Sequence, residues 1–431
     1  RDSDKTALIY QLATTGRHYF LSRPRRFGKS LLLSTLEAYF QGKKELFEGL
    51  AIEKLEKEWT EHPILHLDLN IARYASTSDL EDILNRNLVA WEKLYGADPA
   101  ERSLPLRFAG IIDRAYHKTG QRAVILIDEY DKPLLQNLHD EETQNQLRNM
   151  LKPFYGVLKT MDRAIRFALL TGVTKFGKVS VFSDLNNLMD ISMDNRYVKI
   201  CGITGEEILI YLRDELQTLA DIQGMSNEET LKKLKEWYDG YHFGDFDVYC
   251  PWDVMNYLLE LQHNPQAKPV SYWKNTSDNA IIRSFIDHSG SSITKKLENL
   301  MAGETIVQRV DENLTYDYLH SSEDNLWSML YLTGYLTKAR NEQTDEVLPD
   351  GAIALMIPNE EIRDIFETTV IQWFDDSTRK WNRTLLFDAV WNGDSVNLTK
   401  EMNILLRRTI SYHDYKAVSY THLRAHETSQ D

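Results

Sequence analysis

The tightest constraint on this chain is a short basic loop, SRPRRFGKS at 22–30. It is set between an apolar run, HYFLS at 18–22, and KSLLLSTLEAYF at 29–40, whose apolar residues recur at helical spacing. The periodicities predict strand, loop and helix in that order, with Gly42 closing the helix. A helix N-terminus entered through Gly-Lys-Ser suits a polyphosphate: backbone N–H groups converge there and one cation completes the charge. Gly28 permits the turn, Lys29 can reach the β- and γ-phosphates, and Ser30 can place its hydroxyl on Mg²⁺. One part departs from the usual G-x-x-x-x-G-K-[ST] spacing, because Arg23 stands where the first glycine belongs. Residues 25–30, Arg25, Arg26, Phe27, Gly28, Lys29 and Ser30, are the candidate nucleotide-binding segment. In it the arginines can substitute guanidinium donors for backbone N–H groups.

A second motif completes such a site. AVILIDEY at 123–130 is the strongest strand signal in the chain and ends in two carboxylates. Asp128 can hold a metal, and Glu129 can polarise an attacking water as general base. An acidic entry to a helix starting at Pro133 would explain one carboxylate but not the strand before it. A polar residue at the end of an adjacent strand is expected near the γ-phosphate. Thr171 in IRFALLTGV (165–173) fits, with Thr174 and Lys175 as alternatives. The candidate catalytic residues are thus Glu129, Lys29 and Thr171, and the metal ligands Ser30 and Asp128. Arg25, Arg26, Arg163 and Arg196 remain open as the source of a transition-state arginine.

The rest of the pattern gives the architecture. ILHLDL (64–69) reads as a strand, 78–95 and 105–118 as helices, 133–159 as one helix that Pro153 kinks, and YVKICGIT (197–204) as a fifth strand. Thr204 with Glu207 makes a capping box for the next helix. Strands alternating with helices over 1–205 predict an α/β fold with a mostly parallel five-stranded sheet. Residues 206–345 read as a mainly helical domain, and 346–417 as a small extension with a strand near 346–357 and a helix near 359–375. The aromatic stretches 236–244 and 248–258 read as core and turns of the helical domain, and YWKNTSDN as a helix cap.

Composition bounds the function. The 431 residues carry a net charge of −15, which argues against nucleic-acid binding by the surface as a whole. Cys201 and Cys250 alone make no disulfide framework or cysteine-based zinc site, and suit a reducing cytoplasm. No apolar run is long enough to predict a membrane span. The chain opens at Arg1 without Met, which predicts an N-terminal truncation, and the tail 418–431 resembles translated sequencing adapter. His422, His426 and Glu427 in that tail have helical metal-ligand spacing but no third ligand on a scaffold.

The stretches DKTALIYQL, YFLSRPRRFGKSLLLSTLEAYF, ILIDEYDKP, LLTGVTKF, WYDGYHFG and PWDVMNYL together resemble the AAA-ATPase-like family of predicted bacterial P-loop ATPases. The resemblance runs to about Lys416. It implies that SRPRRFGKS is the family's own form of the loop, with Gly28, Lys29 and Ser30 on phosphate and metal and Asp128 and Glu129 on metal and water. It also implies a continuation in intact members into a nuclease-superfamily domain, which RRTISYHDYK (407–416) approaches and this chain does not contain.

The resulting expectation is a P-loop NTPase of the additional-strand class, with the Thr171 strand between the phosphate-loop strand and the Asp128 strand. It would bind ATP with Mg²⁺ in the cytoplasm and convert hydrolysis into a shape change. Two other readings compete. One is a non-hydrolysing nucleotide-gated sensor. The other is the ATPase module of a nucleic-acid-processing protein, for which Arg17, His18, Arg23, Arg25, Arg26 and Lys29 form the densest basic cluster.

Overall fold

The computed structural model describes residues 4–138, 140–175, 185, 187–243, 246–264, 266–272, 282, 291–311, 322–340, 348–380, 391–397 and 399. Five parallel strands form its main sheet: β1 His18–Ser22, β2 Ile64–Asp68, β3 Ala123–Asp128, β4 Ile165–Gly172 and β5 Met189–Asp190. Their order is β2-β3-β4-β1-β5. The β4 strand therefore lies between β1, which feeds the basic loop, and β3, which ends at Asp128. Every residue of β1 and β3 is buried, as a central parallel strand covered on both faces requires. Fully burying each Val, Leu or Ile of β3 is worth about 1.5–3 kcal/mol. On one face Leu32, Leu33 and Leu36 pack against Tyr19, Leu21, Val124 and Leu169 in one cluster.

The connecting helices include α1 Thr6–Thr15, α2 Lys29–Phe40, α3 Ala51–Leu55, α4 Thr77–Tyr95 and α5 Leu104–Thr119. Gly42 lies just beyond α2 at φ +68. The single helix expected over 133–159 is instead two, α6 Lys132–Leu135 and α7 Glu141–Thr160. The break comes from Asp140, whose side chain accepts from the Thr143 N–H and starts a new helix. Pro153 sits inside α7 without ending it.

The fifth strand is also not where periodicity put it. Within 197–204, Val198–Ile200 is a 3-10 turn, and only Ile203 bridges another strand-like residue, Tyr249. The short strand β5 takes the place beside β1. A turn forms because Asp194 O receives the N–H groups of Tyr197 and Val198. Tyr197, Ile200 and Cys201 then plug the core cluster. A short apolar run is equally suited to a strand or a plug.

After the Thr204–Glu207 capping box come helices Gly205–Tyr211, Arg213–Gln223, Asn227–Tyr238 and Pro251–His263. A hairpin of β6 Tyr241–Phe243 and β7 Phe246–Val248 interrupts them. Tyr238, Tyr249 and Tyr257 sit in the core of this helical part, as the aromatic pattern suggested. Further on, β8 Ile306–Arg309, β9 Thr337–Lys338 and β10 Ala352–Met356 form an antiparallel sheet in the order β8-β10-β9. The boundary expected at 345 falls inside this sheet, whose strand pairing joins residues on both sides of it.

The chain divides into two compact units, 1–369 and 370–431. In the second, Asp394 accepts from the N–H groups of Val396 and Asn397 and closes a turn. The adapter-like tail, YWKNTSDN from Trp273 on, and RRTISYHDYK lie outside the described residues. No helix among the described residues is long and apolar enough to cross a membrane, and none of their His, Cys, Asp and Glu clusters could hold a metal by itself.

Candidate functional site

The basic loop, the end of β3 and the end of β4 meet at the C-terminal edge of the sheet, where open parallel sheets bind ligands. Between Ser22 and Lys29 the backbone turns through two left-handed residues, Arg26 at φ +70 and Gly28 at φ +89. A Cβ on Gly28 would meet nothing within 4 Å, so the space beside it is open. Gly28 is also the N-cap residue of α2, which has no side-chain cap. The first N–H groups of that helix have no intrahelical acceptor.

Two predicted residues converge on Asp128. Its Oδ2 accepts from the Ser30 hydroxyl at 2.5 Å, and its Oδ1 from the Thr171 hydroxyl at 2.5 Å. Thr171 is fully buried, so its hydroxyl serves Asp128 and not the open side of the loop. Lys29 is buried and folded inward: its ammonium donates to the carbonyls of Arg23 and Pro24, both at 3.1 Å, and pairs with Glu129 Oε1 at 3.2 Å. Glu129 is itself left-handed, at φ +53. For a residue with a side chain this costs about 1–2 kcal/mol. The turn is held because Glu129 O accepts from Lys132 N and Tyr130 N donates to Thr171 O.

Sequence reasoning missed three polar residues here. Asp131 is fully buried, and its carboxylate accepts from Val173 N, Thr174 N and the Thr174 hydroxyl at 3.2, 2.7 and 2.6 Å. It stitches the tail of β3 to the tail of β4. Burial, and then the negative charge of Glu129, push its carboxyl up to about 6. Asp68 faces Asp128 across the β2–β3 register, and burial is the main cause that raises its carboxyl above the usual range. Lys132 reaches over to Asn70, donating to its carbonyl and side-chain oxygens at 2.8 and 2.7 Å. Burial and the neighbouring charge of Arg25 lower its ammonium. Thr174 was weighed as a γ-phosphate residue, but its hydroxyl belongs to Asp131. Lys175 pairs with Asp190 at 3.5 Å.

Phe27 and Arg26 face away from the open side. The Phe27 ring is buried edge-on against Tyr241 and Phe243, with centroids 4.9 and 5.8 Å away. Its side chain is a core anchor and leaves only its backbone for a ligand. The Arg26 guanidinium stacks 4.3 Å over the Trp252 ring. Arg25 is half-buried and has no hydrogen bond or ion pair among the described residues. The basic cluster is divided: Arg17 and His18 lie at the opposite edge of the sheet, on Asp162 at 3.1 and 2.7 Å. Arg163 is there too, in the turn before β4, a strand length of roughly 25 Å from Thr171. Arg196 is tied to Asp194 at 2.5 Å.

Residues 3–182 match the family described as "Predicted AAA-ATPase". A protein of Azotobacter chroococcum mcd 1, described as "Uncharacterized protein in vnfD 5'region", is 33% identical over 361 residues, 84% of this chain. The aligned region spans 64% of that relative's length. Among solved structures, the Aeropyrum pernix ORC2 protein in its ADPNP-ADP complexes aligns over 84% of this chain and 93% of its own, at TM-score 0.30 and 11% identity. That likeness is too faint to bear on the site. The segment 3–182, which holds the basic loop, Asp128, Glu129 and Thr171, is thus the part of the chain that matches the predicted AAA-ATPases.

Proposed function

We propose that the chain binds ATP at the N-terminus of α2 and hydrolyses it with Mg²⁺, and that the nucleotide state alters the helical part of residues 206–369. The observation that supports this best is the convergence on Asp128: a loop hydroxyl and a neighbouring-strand hydroxyl on one carboxylate, beside a Lys29–Glu129 pair. The open space at Gly28 leaves room for phosphates against the helix N-terminus.

The oxygen-only set of Ser30 and Asp128 fits Mg²⁺, which favours hydroxyl, carboxylate and phosphate oxygens. When bound there, the ion would supply positive charge to the β- and γ-phosphate oxygens. Thr171 keeps Asp128 oriented through a buried hydrogen bond. Lys29 exchanges its two carbonyl acceptors and Glu129 for phosphate oxygens, gaining charge-assisted bonds. That exchange releases Glu129 to accept a proton from the attacking water. Arg25, unpaired at the mouth of the site, is the cation of the loop best placed to meet the γ-phosphate.

The Lys29–Glu129 pair also favours a second reading, a nucleotide-gated sensor that binds ATP without turnover. Phosphate release by the Glu129→Gln variant decides between them. In a working ATPase, Glu129→Gln loses turnover by about 100-fold or more, as expected for a general base, while ATP still binds. Phosphate release by the unmodified chain no faster than the no-protein blank, alongside ATP binding, would leave the sensor. The nucleic-acid reading has less support, since the basic cluster it invoked is split between two edges of the sheet. Cytoplasmic localisation remains part of the proposal.

A further inference from the structure

The phosphate loop lacks its first glycine, yet nothing in the site described above uses residues 23, 24, 26 and 27 on their side-chain atoms. All four instead grip elements more than 160 residues away in sequence. We propose that the β6–β7 hairpin and the first turn of helix Pro251–His263 position the phosphate loop for nucleotide, with Arg23 and Phe27 as the positioning residues that clasp them. This rests on the nucleotide reading of the Gly28–Ser30 site.

Arg23 is buried to 1% exposure and donates to the carbonyls of Ser22, Ser192 and Val198 at 2.9, 2.6 and 3.2 Å. Its guanidinium lies 4.1 Å over the ring of Phe243 in β6. No carboxylate among the described residues is within ion-pair distance of it. A buried cation held only by carbonyl dipoles and a ring is costly to desolvate. Such a group fixes direction more than it adds stability. Pro24 packs on Gly334, where a Cβ would come 2.4 Å from Pro24 Cγ. Arg26 stacks on Trp252, and its carbonyl takes the Cys250 thiol at 3.6 Å. Phe27 inserts its ring between Tyr241 and Phe243, and its carbonyl accepts from Gly202 N at 3.1 Å.

The loop is therefore pinned on its hairpin side and open on its Gly28 side. In the usual loop, glycine lets the backbone wrap the phosphate by its own flexibility. Here the backbone must already be wrapped, and the hairpin aromatics hold it so. Lys29 points at the carbonyls of the two pinned residues, Arg23 and Pro24. A slackened clasp would then move the phosphate-binding groups together. By reciprocity, a nucleotide that tightens the loop also tightens the hairpin.

The test is ATP affinity and thermal midpoint of the full chain in Phe243→Leu, Phe243→Tyr, Phe27→Leu, Tyr241→Leu, the Phe27→Leu/Tyr241→Leu double variant and a control, Tyr257→Leu. Tyr257 is a buried aromatic of the same region whose ring packs on Tyr238 and not on the loop. Phe243→Leu and Tyr241→Leu are expected to weaken ATP binding about tenfold or more, the scale of a displaced binding group. Phe243→Tyr should restore it, and the double variant should be no weaker than the worse single. Tyr257→Leu should lower the midpoint while leaving affinity within about twofold, the scatter of uncoupled sites. Should the core variants not fold, exposed Trp252 carries the test: Trp252→Ala weakens ATP binding and Trp252→Phe does not. Affinity unmoved by any hairpin or Trp252 variant, with binding by the unmodified chain intact, overturns this proposal alone. No ATP binding by the unmodified chain overturns it together with the nucleotide reading.

Discussion

Asp131 and Asp128 stand three residues apart at the end of one strand and differ in environment. Asp128 takes two hydroxyl donors, while Asp131 takes two backbone N–H groups and a hydroxyl from the turn after β4. Because the Asp131 carboxyl is raised to about 6, the folded chain takes up its proton before the unfolded chain does. Its contribution to stability is thus fully present below about pH 4, the unfolded value, and fades as pH rises through about 6. Asp131→Asn should remove that slope from a plot of urea midpoint against pH. At pH 7.5 it should also cost about 1–3 kcal/mol, since an amide NH₂ then faces the N–H of either Val173 or Thr174 where a carboxylate oxygen accepted it. An unchanged slope would place the titration elsewhere. Gly172→Ala should be destabilising by roughly 2 kcal/mol or more in the same assay, because its Cβ would fall 2.5 Å from the Tyr130 ring and 2.6 Å from Asp131. Lys29, Ser30, Asp128 and Glu129 were legible in sequence because each lies at a fixed offset from a strand end or helix start. Asp131 was not, because its partner Thr174 is 43 residues away and no local pattern joins them.

At the scale of elements, periodicity located β1 to β4 and helices α2, α4 and α5 because each buries a full face or stripe. It failed where a short apolar segment had two uses. The run at 197–204 fills the core beside β1, and it offers its Val198 carbonyl to Arg23 in place of a strand ladder. The 133–159 region was read as one helix because Asp140, the cap that divides it, looks like any surface carboxylate. Pro153 is exposed within α7, where it forfeits one backbone hydrogen bond and strains the preceding turn. Pro153→Ala should therefore raise stability by about 1–2 kcal/mol by urea titration. A loss of stability would mean that α7 needs its bend.

On the scale of the molecule, the α/β part and the helical part share the phosphate loop. Phe27 is buried against β6, Lys5 pairs with Glu207, and Ile203 bridges Tyr249. A chain ending at Gly205 should therefore expose Phe27 and Arg23, melt at lower temperature and bind ATP poorly, whereas one ending at Thr369 should keep both properties. None of this coupling was readable in SRPRRFGKS alone, where Arg23 was only a departure from the usual glycine and Arg25 and Arg26 looked like substitute phosphate donors. All of this depends on ATP sitting at Gly28, Lys29 and Ser30, as proposed. Calorimetric titration of ATP with Mg²⁺ into the full chain and into Lys29→Ala tests it most directly. Saturable one-site binding is expected, weakened at least about tenfold by Lys29→Ala through loss of a charge-assisted phosphate contact. Equal affinity in the two chains would contradict it.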